Sequence, residues 1–198
     1  MGVHVEQEIG PQALIDAVDA LASLVQAVAS CVAPDGVRTR IVGIDGHGGA
    51  GKTTLASRLA RELGAEVVHT DDFASPSTPV DWWPRLIAEA LEPLAAGRTT
   101  RYQPTQWDDR VPAPVEIHAG GLVLLEGVTA TRTEFRPYLA YAIWVETPRE
   151  ICLRRGLARD GESAGPDWET WLDGEDRYIA RDRPQLNADA IVDGMQAL

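Results

Sequence analysis

Residues 40–55 read RIVGIDGHGGAGKTTL and carry the strongest structural signal in the chain. They begin with a short apolar run rich in β-branched residues, typical of a buried strand, and end where a helical pattern of leucines begins. Between the two, residues 46–53 match the pattern G-x-x-x-x-G-K-[ST]. Glycines let a backbone curl so that several N–H groups point at one anion, and the following helix adds its positive N-terminal end. This stretch predicts a strand, a phosphate-binding loop and a helix in direct succession.

Lys52 is the only lysine in the chain, and it stands where the loop chemistry needs an ammonium group. A lysine there can reach the terminal phosphates of a nucleotide, while the hydroxyl of Thr53 can ligate Mg²⁺. The alternative, a glycine-rich turn that binds nothing, leaves the position of the sole lysine unexplained. We therefore expect ATP as the cofactor, with GTP left open, together with Mg²⁺. The expected nucleotide-binding residues are Gly46, His47, Gly48, Gly49, Ala50, Gly51, Lys52, Thr53 and Thr54.

Strand-like and helix-like patterns alternate along the rest of the chain. Further short apolar runs predict strands at 65–69, 121–126, 141–146 and 190–193. Strands that are apolar on both faces and alternate with helices are typical of a parallel sheet covered on both sides. The expected fold class is therefore α/β, of the P-loop NTPase type, with a five-stranded parallel sheet and helices on both faces.

The composition excludes several classes of partner. The chain has 18 basic and 30 acidic residues and a formal net charge of −12, and an acidic surface repels nucleic acids and anionic membranes. Two cysteines are too few for a disulfide framework or a zinc cluster, which favours a reducing compartment. The chain shows neither a signal-peptide pattern nor an apolar run near the ~20 residues that span a bilayer. We expect a cytoplasmic protein whose partner is a small molecule.

Carboxylates follow two of the predicted strands. The ligand crevice of a parallel sheet lies beyond the carboxyl ends of its strands. Glu126 follows four apolar residues and precedes a glycine, which suits an acid that holds Mg²⁺, although a polar residue capping a buried strand looks the same. Asp71 follows the second strand and could accept the proton of an attacking hydroxyl, or it could cap a helix. Asp72 is an alternative to Asp71 that the sequence does not separate from it.

Three arginines, Arg154, Arg155 and Arg159, fall on one predicted helix. Arg155 and Arg159 are four residues apart, so they face the same side. In an acidic chain, clustered guanidinium groups suggest a cover that neutralises charge on a phosphoryl group in transfer. The competing interpretation is a solvated helix face with ion pairs to Glu150 or Asp160.

In this order, the motifs resemble those of the uridine kinase-like family of P-loop phosphotransferases, over residues 37–194. The resemblance rests on the loop at 46–53, the Asp-Asp-Phe at 71–73, the Leu-Leu-Glu-Gly at 124–127 and the double arginine at 154–155. It implies transfer of the γ-phosphoryl group of ATP to a hydroxyl group of a small molecule. The implied roles are general base for Asp71, phosphate binding for Lys52, Mg²⁺ binding for Thr53 and Glu126, and a lid for Arg154, Arg155 and Arg159.

The same resemblance organises the chain into segments. Residues 37–198 are expected to form the kinase domain, with a small irregular or hairpin acceptor-binding insertion at about 97–118 and the lid at about 149–166. Residues 1–36 are expected to be an amphipathic helix and a linker, without a counterpart in the family. That helix is predicted from apolar residues spaced by four and three, Leu14, Val18, Leu21, Val25 and Val28.

The acceptor-binding segment departs from the family pattern. Uridine kinases carry a Tyr-Asp-Phe type of segment there, and this chain has Thr-Gln-Trp at 105–107. A site that hydrogen-bonds its substrate rejects analogues steeply, so this difference indicates another acceptor, such as a sugar, a vitamin precursor or an antibiotic. The candidate acceptor-binding residues are Asp72, Trp83, Tyr102, Trp107, Asp109 and Arg110.

A regulatory nucleotide-binding ATPase without an acceptor is the alternative from a different functional class. A GTPase switch is excluded, because its Asn-Lys-x-Asp motif needs a second lysine that the chain lacks. The sequence leaves open whether the chain forms a homo-oligomer.

Overall fold

The computed structural model of the chain describes residues 11–74, 82–106 and 111–195. Its α-helices are α1 (Pro11–Ser30), α2 (Lys52–Leu63), α3 (Trp83–Leu86), α4 (Glu92–Ala95), α5 (Arg149–Asp160) and α6 (Gly165–Asp182). Its strands are β1 (Arg40–Asp45), β2 (Glu66–His69), β3 (Thr100–Tyr102), β4 (Val115–Ile117), β5 (Leu122–Glu126), β6 (Leu139–Glu146) and β7 (Ala190–Asp193). None of the helices in the described ranges is long and apolar enough to cross a bilayer.

The predicted five-stranded parallel sheet is confirmed, with the order β2-β5-β1-β6-β7. The pairing is parallel throughout, and β1 lies in the centre, where Ile44 pairs with Glu126 of β5 and Ile143 of β6. Because β5 is the neighbour of both β1 and β2, the carboxyl ends of these three strands meet at one edge. That edge brings together the loop after β1, the aspartates after β2 and Glu126.

Successive residues of β1 point to opposite faces of the sheet, and each face has its own apolar layer. Ile41 packs on the side of α3, α4 and the β3–β4 hairpin. Val42 and Ile44 pack on the other side, where α1 and α2 supply Leu24 and Leu55 among other buried residues. The predicted N-terminal helix therefore covers the same core as the rest of the fold, and helices lie on both faces.

The region between α3 and α4 is continuously helical but changes its hydrogen-bonding pattern. Residues Ile87–Leu91 form a π-helical segment between the two α-helical turns. Pro93 follows it and has no N–H to offer to the carbonyl of Glu89 four residues before. The hydroxyl of Thr100, on β3, donates a hydrogen bond to that carbonyl instead. The helix is thereby tied to the hairpin beside it.

Within the predicted insertion at 97–118, β3 and β4 form a two-stranded antiparallel hairpin, with Tyr102 opposite Val115. The buried side chains of Tyr102 and Ile117 join the core on the α3 and α4 side of the sheet. Residues 107–110, and with them the candidates Trp107, Asp109 and Arg110, lie outside the described residues. The described base of the hairpin lies beside η1, a 3-10 turn formed by Thr70–Asp72, to which the hydroxyl of Tyr102 donates a hydrogen bond at Asp72.

Candidate active site

Close packing fixes the backbone of the phosphate-binding loop. Gly49 has a φ of 80°, and a Cβ atom there would lie 2.5 Å from the carbonyl oxygen of Cys152 on α5. Gly46 has a φ of 149°, and a Cβ atom there would lie 2.6 Å from the carbonyl oxygen of Val145 on β6. Only glycine fits positions with positive φ and so little space. The glycines of the motif therefore allow the loop to curl against β6 and α5.

Lys52 begins α2 and bends back over this loop. Its Nζ atom donates hydrogen bonds to the carbonyl oxygens of Gly46, at 3.0 Å, and His47, at 2.8 Å. The side chain is only 7% exposed, yet it forms part of the wall of a crevice of about 710 Å³. The ammonium group is therefore already ordered at the place where a phosphate would bind.

The large crevice, as we call this 710 Å³ space, runs from the loop to the carboxyl ends of the strands. Its wall includes four kinds of group that phosphoryl transfer uses: backbone amides of a loop, an ammonium, carboxylates and guanidinium groups. The side chains that bear them are Lys52, Asp71, Glu126, Arg155 and Arg159.

A hydroxyl and a carboxylate come together where the sequence predicts Mg²⁺. Thr53 Oγ1 donates a hydrogen bond to Glu126, at 3.2 Å from Oε1, and Nδ1 of His69 lies 2.8 Å from the same oxygen. The bond to Glu126 raises the pKa of His69. Among the described residues, no group of three or more His, Cys, Asp or Glu side chains forms a metal site. A hydroxyl and one carboxylate nevertheless suit Mg²⁺, which keeps several waters and takes its other ligands from substrate phosphates.

The two adjacent aspartates after β2 have different surroundings. Asp71 lines the large crevice, where its carboxylate is open to solvent although protein surrounds it on most sides. Desolvation raises the pKa of Asp71, while Lys52 opposes this shift and Glu126 adds to it. Asp72 accepts a hydrogen bond from the hydroxyl of Tyr102, at 2.9 Å, on the hairpin side. Of these two aspartates, only Asp71 therefore lines the large crevice.

A second, smaller cavity of about 120 Å³ adjoins the large crevice. We call it the small cavity. Asp71, Val128 and Trp171 line both spaces, so that Asp71 lies at the boundary between them. The remaining wall of the small cavity includes Trp82, at the start of α3, and Arg177, on α6.

The three predicted lid arginines differ in their position relative to the large crevice. Arg155 lines the large crevice and donates to the carbonyl oxygens of Gly49 and Ala50, both at 3.4 Å. Arg159 also lines it, but forms an ion pair with Asp160 at 2.8 Å and stacks on Trp168. Arg154 is exposed and is not part of the crevice wall. The structure thus brings two of the three arginines to the crevice, and a lid role for Arg154 stays a prediction.

Two predicted acceptor-binding residues are engaged in packing. Tyr102 is 3% exposed, and its ring lies 4.6 Å from that of Phe73. Trp83 packs against the core, and the guanidinium carbon of Arg132 lies 5.0 Å from its ring centre. Neither residue lines the large crevice or the small cavity. Trp107, Asp109 and Arg110 lie outside the described residues, so an acceptor role for them stays a prediction.

Sequence reasoning missed the contribution of α6. Glu175 of this helix accepts hydrogen bonds from the N–H of Gly48, and Tyr178 donates one to Asp45 at the end of β1. No motif or spacing in the sequence marks these residues, because the contacts join segments more than 120 positions apart. Only the parallel topology could have indicated these contacts, because it brings the C-terminal part of the chain back to the loop.

Known proteins resemble the chain in both sequence and fold, although no family model matches it. The uridine kinase of Klebsiella pneumoniae is 26% identical over 63% of this chain and 70% of its own length. The uridine kinase of Tolumonas auensis is 26% identical over 67% of this chain and 73% of its own length.

Two solved structures share the fold. A possible uridine kinase from Bacillus stearothermophilus superposes with a TM-score of 0.68 at 19% identity, over 90% of this chain and all of that one. A candidate fructose transport system kinase from Silicibacter superposes with a TM-score of 0.60 at 21% identity, over 86% of this chain and 98% of that one. In both sequence and fold, the chain is thus similar to uridine kinase-like P-loop kinases, which supports phosphotransferase activity.

Proposed function

We propose that this chain transfers the γ-phosphoryl group of ATP to a hydroxyl group of a small molecule bound in the small cavity. The observation that carries the proposal is the position of Asp71, whose side chain lines the large crevice and the small cavity alike. A base at this boundary can take a proton from an acceptor on one side while the phosphoryl group approaches from the other.

The phosphates of ATP are proposed to bind along the loop, where the backbone amides and the ammonium group of Lys52 face the large crevice. Arg155 and Arg159 line the same crevice, and their guanidinium groups would stabilise charge on the phosphoryl group in transfer. Thr53 and Glu126 are the proposed ligands of Mg²⁺, which would neutralise charge on the β- and γ-phosphates.

The proposed reaction has one proton transfer and one phosphoryl transfer. The acceptor hydroxyl gives its proton to the carboxylate of Asp71, and its oxygen forms a bond to the γ-phosphorus. The bond from that phosphorus to the β–γ bridging oxygen breaks, and ADP leaves with the electron pair. The raised pKa of Asp71 suits this role, because a carboxyl with a higher pKa is a stronger base when ionised.

Two classes of acceptor are proposed. The relatives named above are uridine kinases, which supports a nucleoside. The lining of the small cavity supports a non-nucleoside acceptor equally well, because Trp82 and Trp171 offer apolar ring faces while Arg177 offers a charged hydrogen-bonding group. Together these groups can bind any compact, hydroxyl-rich ring.

The deciding experiment measures ADP release from ATP and Mg²⁺ with one added alcohol at a time, with the product mass recorded in parallel. The panel contains uridine, cytidine, monosaccharides, hydroxylated vitamin precursors and an aminoglycoside, and GTP replaces ATP in a second series. Stimulation with a product heavier by one phosphoryl group identifies the acceptor class. ADP release that no alcohol stimulates, with no phosphorylated product, would support a regulatory ATPase instead.

A further inference from the structure

A carboxylate from α6 lies on the phosphate-binding loop. The two oxygens of Glu175 accept the N–H of Gly48, at 3.2 and 3.0 Å, and one of them lies 2.9 Å from Nδ1 of His47. The side chain of Glu175 is only 2% exposed. A loop built to bind an anion therefore already holds one, supplied by the protein itself.

Two further contacts fasten the same helix over the loop. Trp168 lies against Gly48, such that a Cβ atom on this glycine would be 3.0 Å from the indole ring. Tyr178, one turn after Glu175, donates its hydroxyl to Asp45 at 2.7 Å. The segment 168–178 of α6 thus covers the loop, with Glu175 as its charged contact.

We infer that Glu175 is an affinity-determining residue of the phosphate site, an internal anion that the nucleotide must displace. A triphosphate on the loop would bring several negative charges close to a carboxylate that water screens poorly, and like charges in such a place repel strongly. The N–H of Gly48 also cannot serve the carboxylate and a phosphate oxygen fully at the same time. Binding of ATP therefore releases Glu175 from the loop.

The same release opens the small cavity to an acceptor. At about 120 Å³, this cavity is well below the ~300–1,000 Å³ of typical ligand pockets, and it is smaller than a nucleoside or a sugar ring requires. Trp171, Glu175 and Arg177 of α6 form part of its wall. Moving that wall enlarges the cavity, so the nucleotide binds first and the acceptor second. This inference rests on the proposed nucleotide site and adds an order of binding to it.

The direct test is the dissociation constant of MgATP, measured by calorimetry for the wild-type chain and the Glu175→Gln variant. Glutamine keeps the length of the side chain and a carbonyl that accepts the N–H of Gly48, but it removes the charge. The expected result is a dissociation constant at least tenfold lower in the variant. Unchanged or weaker binding would overturn the inference, because a merely structural contact predicts one of those outcomes.

Asp173→Asn is the matched control for the loss of one negative charge on α6. Asp173 is exposed and pairs with Arg149 at 2.9 Å, and its carboxylate does not bond to Gly48 or His47 as that of Glu175 does. Its MgATP dissociation constant is expected to equal that of the wild type within twofold. Equal tightening in both variants would attribute the effect to overall charge and would overturn the role of Glu175.

Trp168 provides a second, optical readout of the release. The indole of Trp168 lies against the loop, on the same helix as Glu175. MgATP is therefore expected to change the tryptophan fluorescence of the wild type. Trp168→Phe is expected to remove most of that change. If Glu175→Gln lowers the melting temperature too far for binding studies, Glu175→Asp replaces it. Glu175→Asp keeps the negative charge but has a shorter side chain, which reaches Gly48 less well. Its MgATP binding is therefore expected to be tighter than that of the wild type. An affinity equal to that of the wild type would contradict the inference.

Lys52→Ala separates failure of this inference from failure of the proposed function. If the wild type binds MgATP, Lys52→Ala weakens that binding and Glu175→Gln does not tighten it, only the displacement by nucleotide is wrong. If the folded wild type does not bind MgATP, the nucleotide site and the inference are both wrong.

Discussion

Tyr178 donates its hydroxyl to Asp45 Oδ2 at 2.7 Å, which joins the last long helix to the end of the first strand. Asp45 is fully buried and also accepts the backbone N–H groups of Gly46, Thr129 and Thr131. One carboxylate thus holds the start of the phosphate loop, the turn after β5 and α6 in a fixed arrangement. Burial raises the pKa of Asp45, and these hydrogen bonds oppose the shift.

Tyr178→Phe is expected to lower the free energy of unfolding by about 1–3 kcal/mol, since it takes one hydrogen bond from a buried carboxylate. Urea denaturation measures this change. Tyr141→Phe is the control, because the hydroxyl of Tyr141 makes one longer, exposed bond at 3.4 Å to the carbonyl of Asp189. A loss for Tyr178→Phe no greater than for Tyr141→Phe would show that Asp45 does not need this donor.

Asp71→Asn is expected to keep the affinity for MgATP and to lower phosphoryl transfer about 10²–10⁴-fold, the range for removal of a general base. Binding is measured by calorimetry, and transfer with the acceptor that the panel identifies. Asp72→Asn is the comparison, because Asp72 is bonded to Tyr102 and does not line the large crevice. If Asp72→Asn abolishes transfer and Asp71→Asn does not, the assignment of the base is reversed.

The pH dependence of kcat/KM is expected to follow the ionisation of Asp71. Its pKa is raised above the ordinary value, chiefly by desolvation, and only the ionised form accepts a proton. Activity should therefore be present above this pKa and should fall as the pH decreases through it, at a higher pH than an ordinary aspartate near ~3.9 would give. A profile of kcat/KM against pH checks this, and a fall only at the ordinary value would contradict it.

Glu126→Gln is expected to raise the Mg²⁺ concentration required for half-maximal activity at least tenfold, because the amide replaces the charged member of the metal-binding pair. Chelation of Mg²⁺ with EDTA should stop transfer in the wild type, and added Mg²⁺ should restore it. Glu66→Gln is a suitable control, since Glu66 lies at the opposite end of β2 and hydrogen-bonds to the backbone N–H and the ring of the exposed His118. Equal Mg²⁺ requirements in all three proteins would remove Glu126 from the metal site.

Lys52→Ala is expected to lower kcat/KM about 10²–10³-fold, a loss typical of removing one preorganised electrostatic contact from the transition state. Steady-state kinetics with saturating Mg²⁺ measures it, and circular dichroism confirms that the variant is folded. Activity within tenfold of the wild type would contradict the assignment of the loop to the phosphates.

The predictable part of this protein is local in the sequence. The strand, loop and helix at 40–63 follow from residues that are neighbours in the chain, and the apolar runs that became β5 and β7 are equally self-contained. Glu126 was predictable as well, because its position at the end of a buried strand follows from parallel topology.

The unpredictable part depends on contacts between distant segments. The π-helical turn at Ile87–Leu91 goes with a bond from Thr100, which lies on another element. Arg154 and Arg155 are adjacent in sequence, yet only Arg155 lines the large crevice, since helical rotation points neighbours about 100° apart. Glu175 gave no signal at all, because a lone glutamate on a helix is indistinguishable from a surface residue until the helix is placed.

The small cavity takes part of its wall from a helix that contributes no residue to the phosphate loop itself. The loop and Lys52 come from the segment between β1 and α2, whereas Trp171 and Arg177, which line the small cavity, belong to α6. A mutation at Trp171 or Arg177 can change the shape of the small cavity without changing any residue of the phosphate-binding loop. Descendants of such a chain could exchange one alcohol for another through a few substitutions in a single helix, while the machinery that handles ATP is inherited unchanged.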